Sequence, residues 1–208
     1  NNMKAVLLLL LLVTYVVSNS LVQESIAELL LTEQHEPEED FFDYTLNFLK
    51  GYFAEPNTCD VSRTLFKQCD GAWGSIMISD KTLCQVGCLI SSVSMLLNSR
   101  GKSISGASAN PSTLLSWLKS HGGLSGNLFV WGSVGSLGAT FVNHVTSTSE
   151  IQKYICDTNY EVVLNVNGGG HYVLATGYTS TGYSVNDPGF SKSSYGFSEV
   201  TRASIFRV

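Results

Sequence analysis

The chain has no basic stripe and no arginine cluster, which removes nucleic acid from its expected partners. It has no internal repeat and no low-complexity tract, so repeat and fibrous architectures are excluded. No Asn-x-Ser/Thr sequon occurs, and N-glycosylation therefore gives no hint of compartment. Beyond residue 20 no run is long and apolar enough to span a bilayer. The glycine run Gly168-Gly169-Gly170 is not followed by Lys-Ser/Thr, which makes it a poor phosphate cradle. Cys84 and Cys88 are spaced Cys-x3-Cys without a second matched pair. A zinc site built from Cys69, Cys84, Cys88 and a histidine therefore fits poorly, and neither metal nor cofactor is expected.

What is present starts with an export signal. Lys4 supplies a positive flank, Ala5 to Val17 is almost entirely apolar, and Ser18-Asn19-Ser20 offers a small-x-small cleavage site. An anchor is the competing reading, but a core of about a dozen residues falls short of the ~20 that cross a bilayer. Residues 1–20 are thus expected to be removed, leaving no membrane association. Export implies an oxidising compartment, extracellular or lysosomal/vacuolar. Five cysteines (59, 69, 84, 88 and 156) then allow two disulfides and one spare thiol, with connectivity that spacing does not reveal.

Charge divides the remainder. Residues 21–58 carry nine acids against the single base Lys50, whereas residues 59–208 carry ten Lys/Arg and eight Asp/Glu. The acidity belongs to the short segment, which reads either as a propeptide or as a solvated extension. Residues 59–208 are enough for one domain with a real core. Their first half reads as helical. In Cys88 to Leu97 the apolar positions 89, 90, 93, 96 and 97 form one face, and Gly101 follows. Asn110 as N-cap and Pro111 at the first helical position open a second helix with Leu114, Leu115, Trp117 and Leu118 inward. Ser149 is read as the N-cap of a third, with Gln152 completing a capping box. Strands follow at Tyr160 to Val166, His171 to Tyr178, Tyr183 to Asn186 and near Ser204 to Val208. Helices first and an antiparallel sheet second make an α+β domain.

Cys88 is the odd cysteine that has a reason to stay reduced. It stands at a helix start, where amides place roughly half a positive charge beside the sulfur. An imidazolium partner would further favour the thiolate over a thiol of ordinary pKa, about 8.5. His171 ends the glycine run and begins a strand; Asp187 lies sixteen residues on, in Asn186-Asp187-Pro188-Gly189. A distant His with an orienting acid is the partner set of a cysteine hydrolase. Asp187 also reads as a plain turn residue, since Asp-Pro-Gly is ordinary turn chemistry. An oxyanion donor is the fourth requirement, and the residues alone do not choose Gln68 over Gln85.

Three segments together resemble the C39-like group of papain-like cysteine peptidases: Phe66-Lys67-Gln68-x-Asp70-x-x-Trp73-Gly74; Gly87-Cys88-x-x-x-Ser92-x-x-Met95-Leu96; and Gly170-His171-Tyr172-Val173-Leu174-Ala175-Thr176-Gly177-Tyr178 with Val185-Asn186-Asp187-Pro188-Gly189. The resemblance spans nearly all of residues 64–208 and leaves the N-terminal segment unmatched. It implies a papain-like fold with Cys88 as nucleophile, His171 as general base and acid, Asp187 as orienting residue and Gln68 as oxyanion donor. One departure stands out: the family continues Cys-Gly-Pro-Thr/Ala-Ser, whereas Leu89-Ile90-Ser91 follows here, and larger side chains at the helix start would narrow the site or change the substrate. Bacterial relatives cut leader peptides after two glycines as part of transporters; no transporter is present, so that substrate does not carry over. The expectation is a secreted, monomeric thiol hydrolase of peptide or amide bonds. Its rival from another class is a non-catalytic secreted module that binds peptide or glycan in the same cleft.

Overall fold

Helices begin largely where the capping residues put them. In the computed structural model, which describes residues 59–208, α1 (Leu83–Val86) opens on Thr82. The Thr82 hydroxyl accepts from the Gln85 amide while the Gln85 side chain returns to the Thr82 amide. The next helix, α2 (Cys88–Ser99), is buried nearly all round, and Ser94 within it is satisfied by donating to the Ile90 carbonyl. It stops at Arg100 before Gly101, which takes a φ of +62°. Asn110 caps α3 (Pro111–Ser120) by accepting from the amides of Ser112 and Thr113. Leu114, Leu115 and Leu118 are buried, while Trp117 is only partly so and stacks on His121 at 4.3 Å. The fourth helix corrects the reading from sequence: α4 (Thr148–Cys156) starts after Ser147, two residues before Ser149, and has no side-chain cap. The two hydroxyls lie 3.1 Å apart and bond each other rather than the first-turn amides.

Two small hairpins, β1 (Ser103–Ile104) with β2 (Ala107–Ser108) and β3 (Leu124–Ser125) with β4 (Leu128–Phe129), flank α3 in the chain. The main sheet holds β5 (Thr140–Val145), β6 (Tyr160–Val166), β7 (His171–Tyr178), β8 (Gly182–Asn186), β9 (Ser194–Gly196) and β10 (Val200–Arg207). Its order is β5-β10-β6-β7-β8-β9, antiparallel throughout. The two edges, β5 and β9, carry no clear strand signal. Most of β5 is exposed and so lacks the in–out alternation that marks a half-buried strand. The expected architecture, α+β with helices packed on a C-terminal antiparallel sheet, is the observed one.

Both sheet faces are covered. On one face Ile90, Val93, Leu96, Leu97, Leu114 and Leu118 meet Val163, Leu174 and Phe206. On the other, Val162, Leu164, Val173, Val185 and Ile205 meet Ile151 of α4. Central strands buried on both sides read as continuous apolar runs, as Val162-Val163-Leu164 does. Glu161 is buried at 3% exposure and is met by Arg63 at 2.8 Å and Arg100 at 2.6 Å, so its charge is compensated from two sides. Residues 1–58, with the expected signal and acidic segment, lie outside the described residues. Among the described residues no helix is long and apolar enough to cross a membrane.

The described chain enters against β7. Val61 donates to the Thr176 carbonyl and Tyr178 to the Cys59 carbonyl. Gly177 lies where these backbones meet, and a Cβ there would collide with Cys59. Cys59 is also bonded to Cys156 at the end of α4, closing a loop of sequence separation 97. In the chain-entropy model a loop of that size is worth up to about 5 kcal/mol. Cys59→Ser with Cys156→Ser is therefore expected to lower urea-unfolding stability by about 2–5 kcal/mol. A loss within error would show that the β7 contacts alone hold this segment.

Candidate active site

Gly87 sets the first element of the site. It ends α1, donating to the Leu83 carbonyl at 2.7 Å, and is the N-cap of α2. A Cβ there would strike Leu83, so only glycine permits the tight junction that makes Cys88 the first residue of α2. Gly87 offers no side chain to cap the first turn, and the positive end of the helix is left uncapped beside the thiol. Cys88 is the free cysteine and is partly exposed; the other four pair as Cys59–Cys156 and Cys69–Cys84.

Positions four apart on a helix share a face. Ser92, one turn after Cys88, donates to the Tyr172 carbonyl at 3.3 Å, so this face of α2 abuts the start of β7. There His171 is the first strand residue, 6% exposed, and its Nε2 lies 2.7 Å from Asp187 Oδ1. With Nε2 engaged, Nδ1 is the ring nitrogen left for Cys88. Burial works against a charged imidazole, yet hydrogen bonds to Asp187 and Cys88, with the charge on each, raise the His171 pKa to about 9.

Asp187 lies just past β8, whose Asn186 is paired with Leu174 of β7. It is 2% exposed. Its Oδ1 also accepts from the Gly189 amide at 2.8 Å and the Phe190 amide at 2.9 Å, and its Oδ2 from the Tyr195 hydroxyl at 2.7 Å. Burial alone would raise its pKa; the hydrogen bonds from His171, Phe190, Tyr195 and Gly189 outweigh that and hold it at about 2. The Tyr195 hydroxyl is pushed up in turn by burial and by the carboxylate it serves. Lys67 ties the turn together by donating to the carbonyls of Asp187 and Phe190 at 2.7 and 2.6 Å.

Gln68 arrives on the neighbouring loop. Its backbone amide donates to the Pro188 carbonyl at 2.9 Å, and its side-chain Nε2 to the Cys84 carbonyl at 2.7 Å. The Cys69–Cys84 disulfide closes that loop. Gln85 is elsewhere: it is exposed and occupied in capping α1. The structure thus brings Cys88, His171, Asp187 and Gln68 to one place and leaves Gln85 out. His121 stacks on Trp117 and His144 packs edge-on to Trp131, so neither ring is paired with Cys88, while His35 lies outside the described residues.

Four residues of this site escaped the sequence reading. Lys67 and Tyr195 have no local signal, because each acts on Asp187 from a distant stretch of chain. Gly189 was visible only as turn chemistry, yet a Cβ there would lie 2.8 Å from His171 Cε1 and 3.4 Å from Gln68 Oε1. Phe190 is 55% exposed and stands edge-on to the His171 ring at 5.0 Å. The Leu89-Ile90-Ser91 departure turns largely inward. Ile90 and Ser91 are buried, and Leu89 packs against the core beneath the helix. A surface hollow beside Cys59, Lys153, Cys156 and Tyr178 holds none of these groups, so chemistry rather than depth marks the site.

With this geometry in place, the comparisons are brief. The family model described as "Peptidase_C39 like family" matches residues 64–206. Among solved structures, a double-glycine motif protease from an AMS/PCAT transporter, in complex with the leader peptide, is similar with a TM-score of 0.48 and 13% identity, covering 72% of this chain and 94% of that one. No curated protein matches the chain.

The His171–Asp187 pair makes a pH prediction with a definite sign. The raised imidazole contributes stability in full below its ordinary 6.5 and loses it as pH rises through about 9. The depressed carboxylate contributes above its ordinary 3.8 and loses it as pH falls through about 2. By NMR the His171 ring should therefore stay protonated to about pH 9. Asp187→Asn keeps the hydrogen-bonding shape, removes the charge, and should lower that midpoint by about 1–3 pH units. An unmoved midpoint would show that Asp187 does not hold the imidazolium.

Proposed function

The chain belongs to the peptidase C39-like family, and from that membership we propose a cysteine-type hydrolase that cleaves peptide or amide bonds through an acyl-enzyme. One observation carries the reading: a free cysteine at an uncapped helix start acts on an imidazole that a buried, fully bonded carboxylate keeps charged. An imidazole protonated to about pH 9 enters the cycle as an acid, and the thiolate it faces is the nucleophile.

The Cys88 Sγ attacks the substrate carbonyl carbon, and the C=O π pair moves onto oxygen. The Gln68 side-chain amide, with its second N–H, and the Cys88 backbone N–H receive that oxyanion. As the C–N bond breaks, His171 gives its Nδ1 proton to the leaving nitrogen, leaving a thioester on Cys88 and a neutral ring. Water then attacks the thioester carbon, His171 takes its proton, and the carboxylic acid product departs as the thiolate reforms. Asp187 keeps Nε2 engaged throughout, which fixes the ring plane and supports the imidazolium. Two disulfides support an extracytoplasmic setting. Residues 1–20 are read as its signal peptide and the acidic residues 21–58 as a propeptide or a solvated extension.

Iodoacetamide should label Cys88 rapidly and selectively at pH 6, with the site located by mass spectrometry. His171→Ala should slow that labelling and cut peptide hydrolysis by about 10²–10⁴-fold while the circular dichroism spectrum stays that of the folded wild type. Retained turnover in that variant would sink the triad. Slow or misplaced labelling of the wild type would make Cys88 structural. Deleting residues 21–58 should raise activity, and no change would make the segment a plain extension.

A further inference from the structure

A second group of polar side chains shares the helix-covered face of the sheet at the end where His171 begins. Asn165 of β6 is the paired neighbour of both Tyr172 of β7 and Arg202 of β10, so the three side chains stand on one face in a row across the sheet. Arg202 donates to the Tyr172 hydroxyl at 3.0 Å. Its Nε is buried and has no hydrogen-bond partner. The ion pairs of the described residues use Arg63, Arg100, His171 and Lys192, and Arg202 is in none of them. Nor does it lie over an aromatic ring among the described residues, where Lys192 on Tyr195 is the cation–π contact.

The surroundings supply no anion. Asn165 is saturated by the carbonyls of Gly169 and His171 and by the Thr201 hydroxyl. His144 bonds Ser204, and its pKa is lowered by burial and by the Arg202 charge. Trp131 walls the group, meeting His144 at 4.8 Å and Tyr172 at 5.8 Å. A half-buried guanidinium with free donors and a neighbouring hydroxyl whose proton is uncommitted is a receptor for a planar anion. The Tyr172 side chain leaves β7 on the face opposite to that of His171, the face that α2 covers, and its carbonyl accepts from Ser92, one turn after Cys88, so the receptor lies beneath the helix that carries the thiol.

Resting on the peptide-hydrolase reading above, we infer that Arg202 and the Tyr172 hydroxyl form a carboxylate-binding subsite that selects an acidic peptide as substrate. The guanidinium takes the carboxylate through its free N–H groups, the Tyr172 hydroxyl adds a third donor, and Trp131 and His144 exclude water from the pair. The group recognised is an Asp or Glu side chain or the carboxyl terminus of the peptide.

Binding separates this from catalysis. The full chain carrying Cys88→Ala is titrated by fluorescence anisotropy into fluorescein-labelled hexapeptide pools. One position at a time is fixed as Glu, Gln or Lys, and each pool is made as C-terminal acid and as amide. At one position the Glu pool should bind about tenfold more tightly than the Gln pool, the Lys pool weakest. Arg202→Gln should erase that preference and Arg202→Lys should keep part of it. A preference for acid over amide pools, lost in Arg202→Gln, would support the subsite with the chain terminus as its ligand. Equal binding of all pools, no binding, or a preference that survives Arg202→Gln overturns the inference. Tyr172→Phe, which leaves the charge in place, should halve or better the preference if Arg202→Gln does not fold. A Glu preference in Cys88→Ala beside a wild type that hydrolyses none of the pools would sink the peptidase reading and leave the subsite standing.

Discussion

A carboxylate with 2% of its surface exposed is costly to bury unless donors meet it, and Asp187 is met by four. Two are backbone amides of its own turn, one is the Tyr195 hydroxyl from β9, and one is the His171 ring. The first three are fixed by the fold, so they stabilise the charged form whether or not the imidazole is charged. That is what lets Asp187 hold an imidazolium rather than share its proton. Remove the turn amides and the carboxylate is raised by burial; the imidazole then loses its counter-charge, and Cys88 loses the cation beside it. The site therefore depends on a turn before it depends on a triad, and Lys67, bonded to two carbonyls of that turn, belongs to the same support.

The residues of the site come from widely separated stretches of chain, and what holds them together is likewise long-range. α2 reaches β7 through Ser92 on the Tyr172 carbonyl. The Gln68 loop reaches the Asp187 turn through the Pro188 carbonyl. β7 and β8 are ladder neighbours. Each link is a backbone hydrogen bond or a short side chain on a backbone group, so the positions follow from secondary structure already formed. Such an arrangement is preorganised: the thiol, the imidazole, the carboxylate and the Gln68 amide are held in place by the fold itself.

This division explains what was legible in the sequence. Cys88, His171 and Asp187 carry their own local marks, a helix start, a strand start after glycines and a tight turn. The central strands were readable because burial on both faces leaves unbroken apolar runs. Gln68 was not separable from Gln85 by residue type, since both are amides near a cysteine; only the fold shows that one caps a helix and the other lies against the turn. Tyr195 and Lys67 were illegible for a similar reason, their partners being set by sheet order and loop approach. The edge strand β5 failed because it is mostly exposed and needs no alternation, and β9 because three residues are too few to show a period. The α4 start was misplaced because two serines two apart both look like an N-cap, while their hydroxyls bond each other and cap nothing.

The same reasoning accounts for how one thiol stays free beside a disulfide. Cys84 and Cys88 are four apart, which in a continuous helix would put them on one face. Gly87 interrupts the helix between them, ending α1 and starting α2. Cys84 is thereby committed to Cys69, while Cys88 is presented to His171. The disulfide also serves the site indirectly, because Gln68 precedes Cys69 and its amide is bonded to the Cys84 carbonyl. The bulky Leu89-Ile90-Ser91 that follows Cys88 is accommodated for the same geometric reason. Once Gly87 aims the helix, Ile90 and Ser91 enter the core and Leu89 packs against it. A glycine at 87 is thus the condition for a free thiol and an open helix start at once.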